Sequence, residues 1–162
     1  MRPRRLRGFD YVGQHRYFLT LCTLSRQQVF RDTKVVTPVL EELLRTAREC
    51  AFAVLAYCFM RDHLHALAEG TADHANLRTF LKRFRQRATI AVRPVVDGPL
   101  WQEGYFERVL REEDTTLDVI AYILQNPVRA GLVDNPGVYP FSGSSLVDIG
   151  KLLDAVAWRP ER

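Results

Sequence analysis

The stretch that most constrains this chain is Ala51 to Met60 (AFAVLAYCFM). It is too short to span a membrane, and it is continuously apolar over the length of a strand. It reads as a central strand. Arg61-Asp62 then supplies a tight turn, and His63 to Glu69 (HLHALAE) reads as the returning arm of a hairpin. A buried hairpin needs further strands beside it and helices over it.

The rest of the chain supplies them. Tyr17 to Leu24 (YFLTLCTL) is rich in aromatic and β-branched residues and reads as a strand. Thr37-Pro38 opens a helical segment that runs to about Cys50, with Glu41 and Glu42 suiting its positive end and Leu40, Leu43, Leu44 and Ala47 facing the core. Asn76 to Val92 reads as a second helix, with Leu77, Phe80, Leu81, Phe84 and Ala88 on its buried stripe. Tyr105 to Leu110 is a short strand. Asp114 or Thr115 can cap a third helix that stops before Pro127, and Glu112, Glu113, Asp114 and Asp118 complement its positive end. A short helix is expected near Leu146 to Val156. The fold class is therefore α+β. The first six elements follow the ferredoxin-like βαββαβ order, an antiparallel sheet with helices on one face, and a third helix is added to it. Its 162 residues are expected to form one domain, 1–162, with a basic arm at 1–8 and a C-terminal extension from about 146 to 162. That fold hosts many activities and decides none.

Charge narrows the choice. The net charge is +4, and lysine occurs only at Lys34, Lys82 and Lys151, so the other 20 of the 23 basic residues are arginine. Arginine carries a planar fork of donors that matches phosphate and stacks on bases. A codon bias toward arginine explains the excess equally well. Arg2, Arg4, Arg5 and Arg7 crowd the N-terminus, and Arg78, Lys82 and Arg85 make a basic stripe on the second helix. Both sets suit a phosphate backbone, and both also suit a solvated surface. Cys22, Cys50 and Cys58 lie in apolar runs without CxxC spacing, which excludes a disulfide scaffold and a cysteine zinc site and makes them small core residues. No apolar run is long enough to cross a membrane, and no apolar signal segment follows the basic arm, so a cytoplasmic protein is expected.

Few residues offer chemistry. His63 and His65 are two apart on a strand, so both imidazoles project from one face while Leu64 enters the other. Such a pair is either half of a metal site or two histidines satisfied by solvent and core. On the third helix Leu117, Ile120 and Leu124 make the core stripe, and Thr115, Asp118, Tyr122, Gln125 and Asn126 fall on a polar one. Tyr122 and Asn126 are neighbours one turn apart. That tyrosine is either a nucleophile beside a ligand or a half-buried aromatic with its hydroxyl in water. Tyr105 is a rival, although its place at the start of a strand suits a structural or base-stacking role. Trp101 suits packing under the sheet better than stacking on a base.

In order and spacing, these residues resemble a known family. His63-Leu64-His65 resembles the HUH motif. Trp101-Gln102-Glu103-Gly104-Tyr105-Phe106, Arg111, Tyr122-Ile123 and Asn126-Pro127-Val128-Arg129-Ala130-Gly131-Leu132-Val133 resemble the REP-associated tyrosine transposases. These are single-tyrosine HUH transposases of small insertion sequences. Tyr17-Phe18-Leu19-Thr20 and Tyr139-Pro140-Phe141-Ser142 also match, so the likeness spans about 4–146. The family commonly has Met-Pro-Asn before the first histidine; here Met60-Arg61-Asp62 adds a charge beside the site.

The resemblance implies roles. His63 and His65 would bind a divalent cation, Mg²⁺ or Mn²⁺, with Asn126 as the third, oxygen-donating ligand. Tyr122 would attack a DNA phosphodiester, forming a covalent 5′-phosphotyrosine and freeing a 3′-OH. The partner would be single-stranded or hairpin DNA formed by palindromic repeats, gripped by Arg2, Arg4, Arg5, Arg7, Arg78, Lys82 and Arg85. The protein would act as a monomer or a homodimer, with no membrane involved. A free phenol has a pKa near 10 and is a weak nucleophile at pH 7, so such a site needs electrostatic help. Two other readings stay open. One is a non-catalytic module that binds structured single strands, and the other is a small metallohydrolase that cuts without a covalent product.

Overall fold

A computed structural model describes residues 5–111 and 115–157. Arg2 and Arg4 of the basic arm, and Glu112, Glu113 and Asp114, lie outside the described residues. The elements run β1 (Arg16–Cys22), α1 (Thr33–Glu49), β2 (Phe52–Met60), β3 (His63–Gly70), α2 (Leu77–Ala91), β4 (Phe106–Val109), α3 (Thr116–Arg129), β5 (Ser142–Gly143) and α4 (Ile149–Ala155). The sheet order is β4-β1-β3-β2-β5, with every pairing antiparallel. This is the expected βαββαβ arrangement, extended by one short strand on the β2 edge.

Both faces of the sheet are covered, which explains the unbroken apolar run of β2. Tyr17, Leu19 and Leu21 of β1 join α1 and α2 in one core, together with Phe59, Leu64, Phe80 and Phe84. Ala56, Cys58, Met60 and Leu67 pack with α3 and Leu152 of α4 in a second. A bulge makes this possible. The register slips between Val54 and Ala56, opposite Ala68 and Leu67, so even-numbered residues of β2 change faces there. Phe52 and Val54 enter the first core, whereas Ala56 and Cys58 enter the second. The extension after 146 thus closes the α3 side, with Leu152 buried against it.

Three expectations need correction. The first helix begins at Thr33, not Thr37, because the Asp32 carboxylate accepts from the Lys34 N–H at 2.9 Å and starts it early. Pro38 then sits inside the helix, where it withholds one N–H. The third helix continues through Pro127 to Arg129, capped at its start by Thr115. It stops at Gly131, whose φ of +72° permits bonds from Gly131 N to the Val128 carbonyl and from Leu132 N to the Pro127 carbonyl. Of the cysteines only Cys58 is buried, and burial pushes its thiol up to about 12.

Trp101 packs as expected, between Phe30 and Phe84 at ring separations of 5.7 Å each. Phe84 has no exposed surface. Phe84→Ala is expected to cost about 3–5 kcal/mol, read as a lowered urea midpoint with an unchanged slope. A loss under about 1 kcal/mol would contradict the packing described.

Candidate active site

The site lies on the α3 face of the sheet. Alternation along β3 sends His63 and His65 to that face, and the β1–β3 register sets Thr20 opposite His65 and Cys22 opposite His63. The Thr20 hydroxyl is 2.9 Å from His65 Nδ1. Asp62 Oδ1 accepts from His63 Nδ1 at 2.7 Å. The Nδ1 of each imidazole is therefore engaged within the protein, and wherever Nδ1 carries the ring proton, Nε2 is left as the electron-pair donor. The two rings are 4.7 Å apart, nearly perpendicular at 79°.

The extra charge at Asp62 is compensated. Its second oxygen accepts from Arg26 Nε at 2.9 Å. Burial works against the Asp62 carboxylate, but the hydrogen bonds from His63 and Arg26 hold it below the usual range. Asp62 therefore orients His63 and carries no loose charge.

His65 is only 8% exposed. Burial, then the neighbouring His63, lowers its pKa to about 4, so it is neutral at pH 7 and open to ligation. The pKa is lowered by folding, so stability present above the unfolded value of 6.5 is lost as pH falls toward 4. The loss is expected to reach about 3 kcal/mol at pH 4. Thermal melts of wild type and His65→Gln across that window check it, and equal slopes would refute the assignment.

Tyr122 stands over this pair. Its ring centroid is 6.2 Å from that of His65 and 5.8 Å from Phe18, which meets it edge-on at 90°. Phe18 also stacks on His65 at 5.4 Å. The other side of the phenol carries Arg129, its guanidinium carbon 4.2 Å from the ring centroid. Arg129 also donates to the Tyr122 carbonyl at 2.8 Å. Asn126 Nδ2 reaches the same carbonyl at 3.4 Å, which leaves its Oδ1 uncommitted. Tyr122 remains 48% exposed to solvent.

The structure thus brings His63, His65 and Tyr122 together, with Asn126 one helical turn from Tyr122. Among the described residues there is no group of three His, Cys, Asp or Glu side chains able to hold a metal ion. Tyr105 lies elsewhere. It packs against the α1/α2 core, next to Arg5 at 3.5 Å and under the guanidiniums of Arg5 and Arg85.

The basic residues also lie elsewhere. Arg5, Arg78, Lys82, Arg85 and Arg93 line one cleft of about 800 Å³ with Tyr105 and Trp101. That cleft is on the α2 side of the sheet, away from Tyr122. The arm is held at the β4 edge, where the Leu6 N–H donates to the Tyr11 hydroxyl at 3.0 Å and Tyr11 donates to Glu107 of β4 at 3.0 Å. Arg7 is exposed and does not line the cleft. Leu117, expected in the core, is 49% exposed, while Val119 and Ile123 take its place.

Comparison with known proteins puts this arrangement in context. The family model described as Transposase IS200 like matches residues 11–126, which span β1 to the turn after Tyr122. The chain belongs to the IS200-like transposase family. Two Haemophilus influenzae proteins resemble this chain. One, of no assigned function, is 22% identical and covers 78% of this chain and 88% of its own length. The other, provisionally named a REP-associated tyrosine transposase, is 23% identical and covers 82% and 81%. Among solved structures, a REP-associated tyrosine transposase bound to a REP hairpin superposes with a TM-score of 0.78 at 19% identity, over 98% of this chain and 93% of that one. A provisionally assigned transposase from Deinococcus radiodurans gives 0.52 at 24% identity, over 75% and 95%. The fold of this chain is thus that of these two structures. No helix among its described residues is long and apolar enough to cross a membrane.

Proposed function

We propose that this chain is a metal-dependent single-strand DNA endonuclease and strand transferase acting on hairpin-forming repeats. The observation that supports it most is the juxtaposition of a half-exposed tyrosine with two imidazoles on one face of the sheet, ring centroids 6.2 Å apart for Tyr122 and His65.

In this reading Tyr122 Oη attacks a backbone phosphorus. The new Oη–P bond forms as the P–O3′ bond breaks, the phenol loses its proton, and the departing 3′ oxygen is protonated to a 3′-OH. The strand's 5′ phosphate stays on the tyrosine. The bond energy is conserved, so a second 3′-OH can reverse the step on another strand without a nucleotide cofactor. Arg129 and Phe18 hold the phenol between them, which limits its rotamers before attack.

His63 and His65 would hold a divalent cation, Mg²⁺ or Mn²⁺, with Asn126 as third ligand. The donor set fits: each imidazole has one nitrogen anchored and one left over, His65 is neutral at pH 7, and Asn126 Oδ1 is uncommitted. A bound cation would polarise the scissile phosphate and offset the charge that builds on it. Imidazole also suits Zn²⁺, Ni²⁺ and Co²⁺, so several metals belong in the assay.

The hairpin enters through kinship, since a relative of this fold is bound to one. The α2 cleft supplies the cationic surface that a phosphate backbone needs. A strand that uses both this cleft and Tyr122 must pass around the β4 edge, where Arg108 and Arg111 line a further groove. Replacing Arg78 and Lys82 together by Gln is expected to weaken binding to all sequences alike. It should also flatten the log K against log salt plot by about 1.4, or 0.7 for each single-strand contact. An unchanged slope would remove the cleft from the binding surface. The activity itself is tested by incubating labelled hairpin strands with the protein and Mn²⁺ or Mg²⁺, then looking for a labelled protein band under denaturing conditions. Hairpin binding with no band in any metal would favour the non-catalytic module.

A further inference from the structure

One cleft beside the nucleophile takes no part in the steps above. Phe18 of β1, Phe106 and Arg108 of β4, and Asp118, Val119 and Tyr122 of α3 line it. Its volume is about 410 Å³, ample for one nucleobase. Phe106 is 41% exposed on the edge strand, a costly place for an aromatic ring unless something covers it. Its ring lies 6.4 Å from Phe18, tilted at 73°. β1–β4 pairing sets Phe106 opposite Thr20 and Arg108 opposite Phe18, so both point to the face that carries the histidines. Arg108 and Asp118 are exposed, and among the described residues no ion pair engages either side chain.

We propose that this cleft receives one unpaired guanine adjacent to the scissile phosphate. The proposal rests on the transesterification reading, because Tyr122 both lines the cleft and performs the attack. Phe106 offers a flat face on which any base stacks. The charged side chains choose among bases. A carboxylate accepts two parallel hydrogen bonds from N1–H and N2–H of guanine, a pair of adjacent donors that no other base presents. A guanidinium donates in parallel to O6 and N7 of the same base. Asp118 of α3 and Arg108 of β4 supply one such carboxylate and one such guanidinium to the lining of a single cleft. A base held here would fix the register of the strand and so select which phosphate meets Tyr122 Oη.

The test separates this pocket from the chemistry. Four labelled pentamers, dT-dT-dN-dT-dT with N as G, A, C or T, are titrated in EDTA and followed by fluorescence anisotropy. The G pentamer is expected to bind about tenfold tighter than the other three. Asp118→Asn and Arg108→Gln should erase that preference, and Phe106→Ala should weaken all four by about tenfold. Each side chain is exposed, and a melt of each variant checks its fold. Equal binding of the four pentamers, a preference for another base, or a G preference that survives Asp118→Asn would overturn the proposal. Covalent adduct formation is read separately, with Mn²⁺, on hairpin strands that carry the same four bases N in the unpaired flank. G selection without adduct would keep the pocket and refute the transesterification, and adduct without G selection would do the reverse.

Discussion

Tyr122→Phe is expected to abolish covalent protein–DNA product, a loss of at least ~10³-fold, while hairpin affinity stays within about threefold of wild type. The change removes one oxygen and keeps the ring. The edge contact with Phe18 and the Arg129 guanidinium over the ring face both survive, so stability should shift by no more than about 0.5 kcal/mol. No other tyrosine replaces it. Tyr105, the rival by sequence, is packed against the α1/α2 core beside Arg5 and Arg85. Tyr105→Phe should therefore retain adduct formation. Denaturing electrophoresis of both variants checks the pair, and an adduct surviving in Tyr122→Phe would end the assignment.

Replacing His63 and His65 together by Ala is expected to lower adduct formation by at least ~10²-fold and to abolish its dependence on added metal. Removal of metal from wild type by chelator should produce the same state, and restoring Mn²⁺ should rescue wild type only. Circular dichroism melts must accompany the measurement, because His65 is buried against Phe18 and its truncation leaves a gap. A double variant that keeps metal-dependent adduct formation would show that the imidazoles are not the ligands.

Much of this site was legible before any coordinates, for reasons that are geometric. An i, i+2 pair on a strand must share a face, so His63 and His65 could be read together. The hairpin around Arg61-Asp62 followed from an apolar run of strand length meeting a polar turn. What failed was the end of the third helix. Stopping it at Pro127 hid the fact that Pro127 belongs to the buried stripe with Val119, Ile120, Ile123 and Leu124. The stripe then appeared rotated toward Leu117, and Arg129, seven residues after Tyr122, was left off the helix altogether. A helix carried on to Gly131 would have put Arg129 beneath the tyrosine. Thr20 was out of reach for another reason. Its meeting with His65 depends on the β1–β3 register, which is set by packing across the whole sheet. Asp62 was visible as a charge, but its role as a hinge between His63 and Arg26 required three-dimensional neighbours. The arginines misled in the opposite direction. A basic stripe on the second helix gave no sign that it lies across the sheet from the nucleophile, because the covering of both faces emerges only with the β2 bulge.

The central claim is that Tyr122 becomes the covalent carrier of a DNA 5′ end. Its most direct test is to form the product on a hairpin strand with Mn²⁺, digest it with trypsin and nuclease, and map the modified peptide by mass spectrometry. Trypsin releases the segment ending at Arg129 with Tyr122 as its sole tyrosine. The account predicts a nucleotide joined through its 5′ phosphate to Tyr122, and a free 3′-OH on the other fragment. A nucleotide found on Tyr105, or a cut strand with no nucleotide on any peptide, would contradict it.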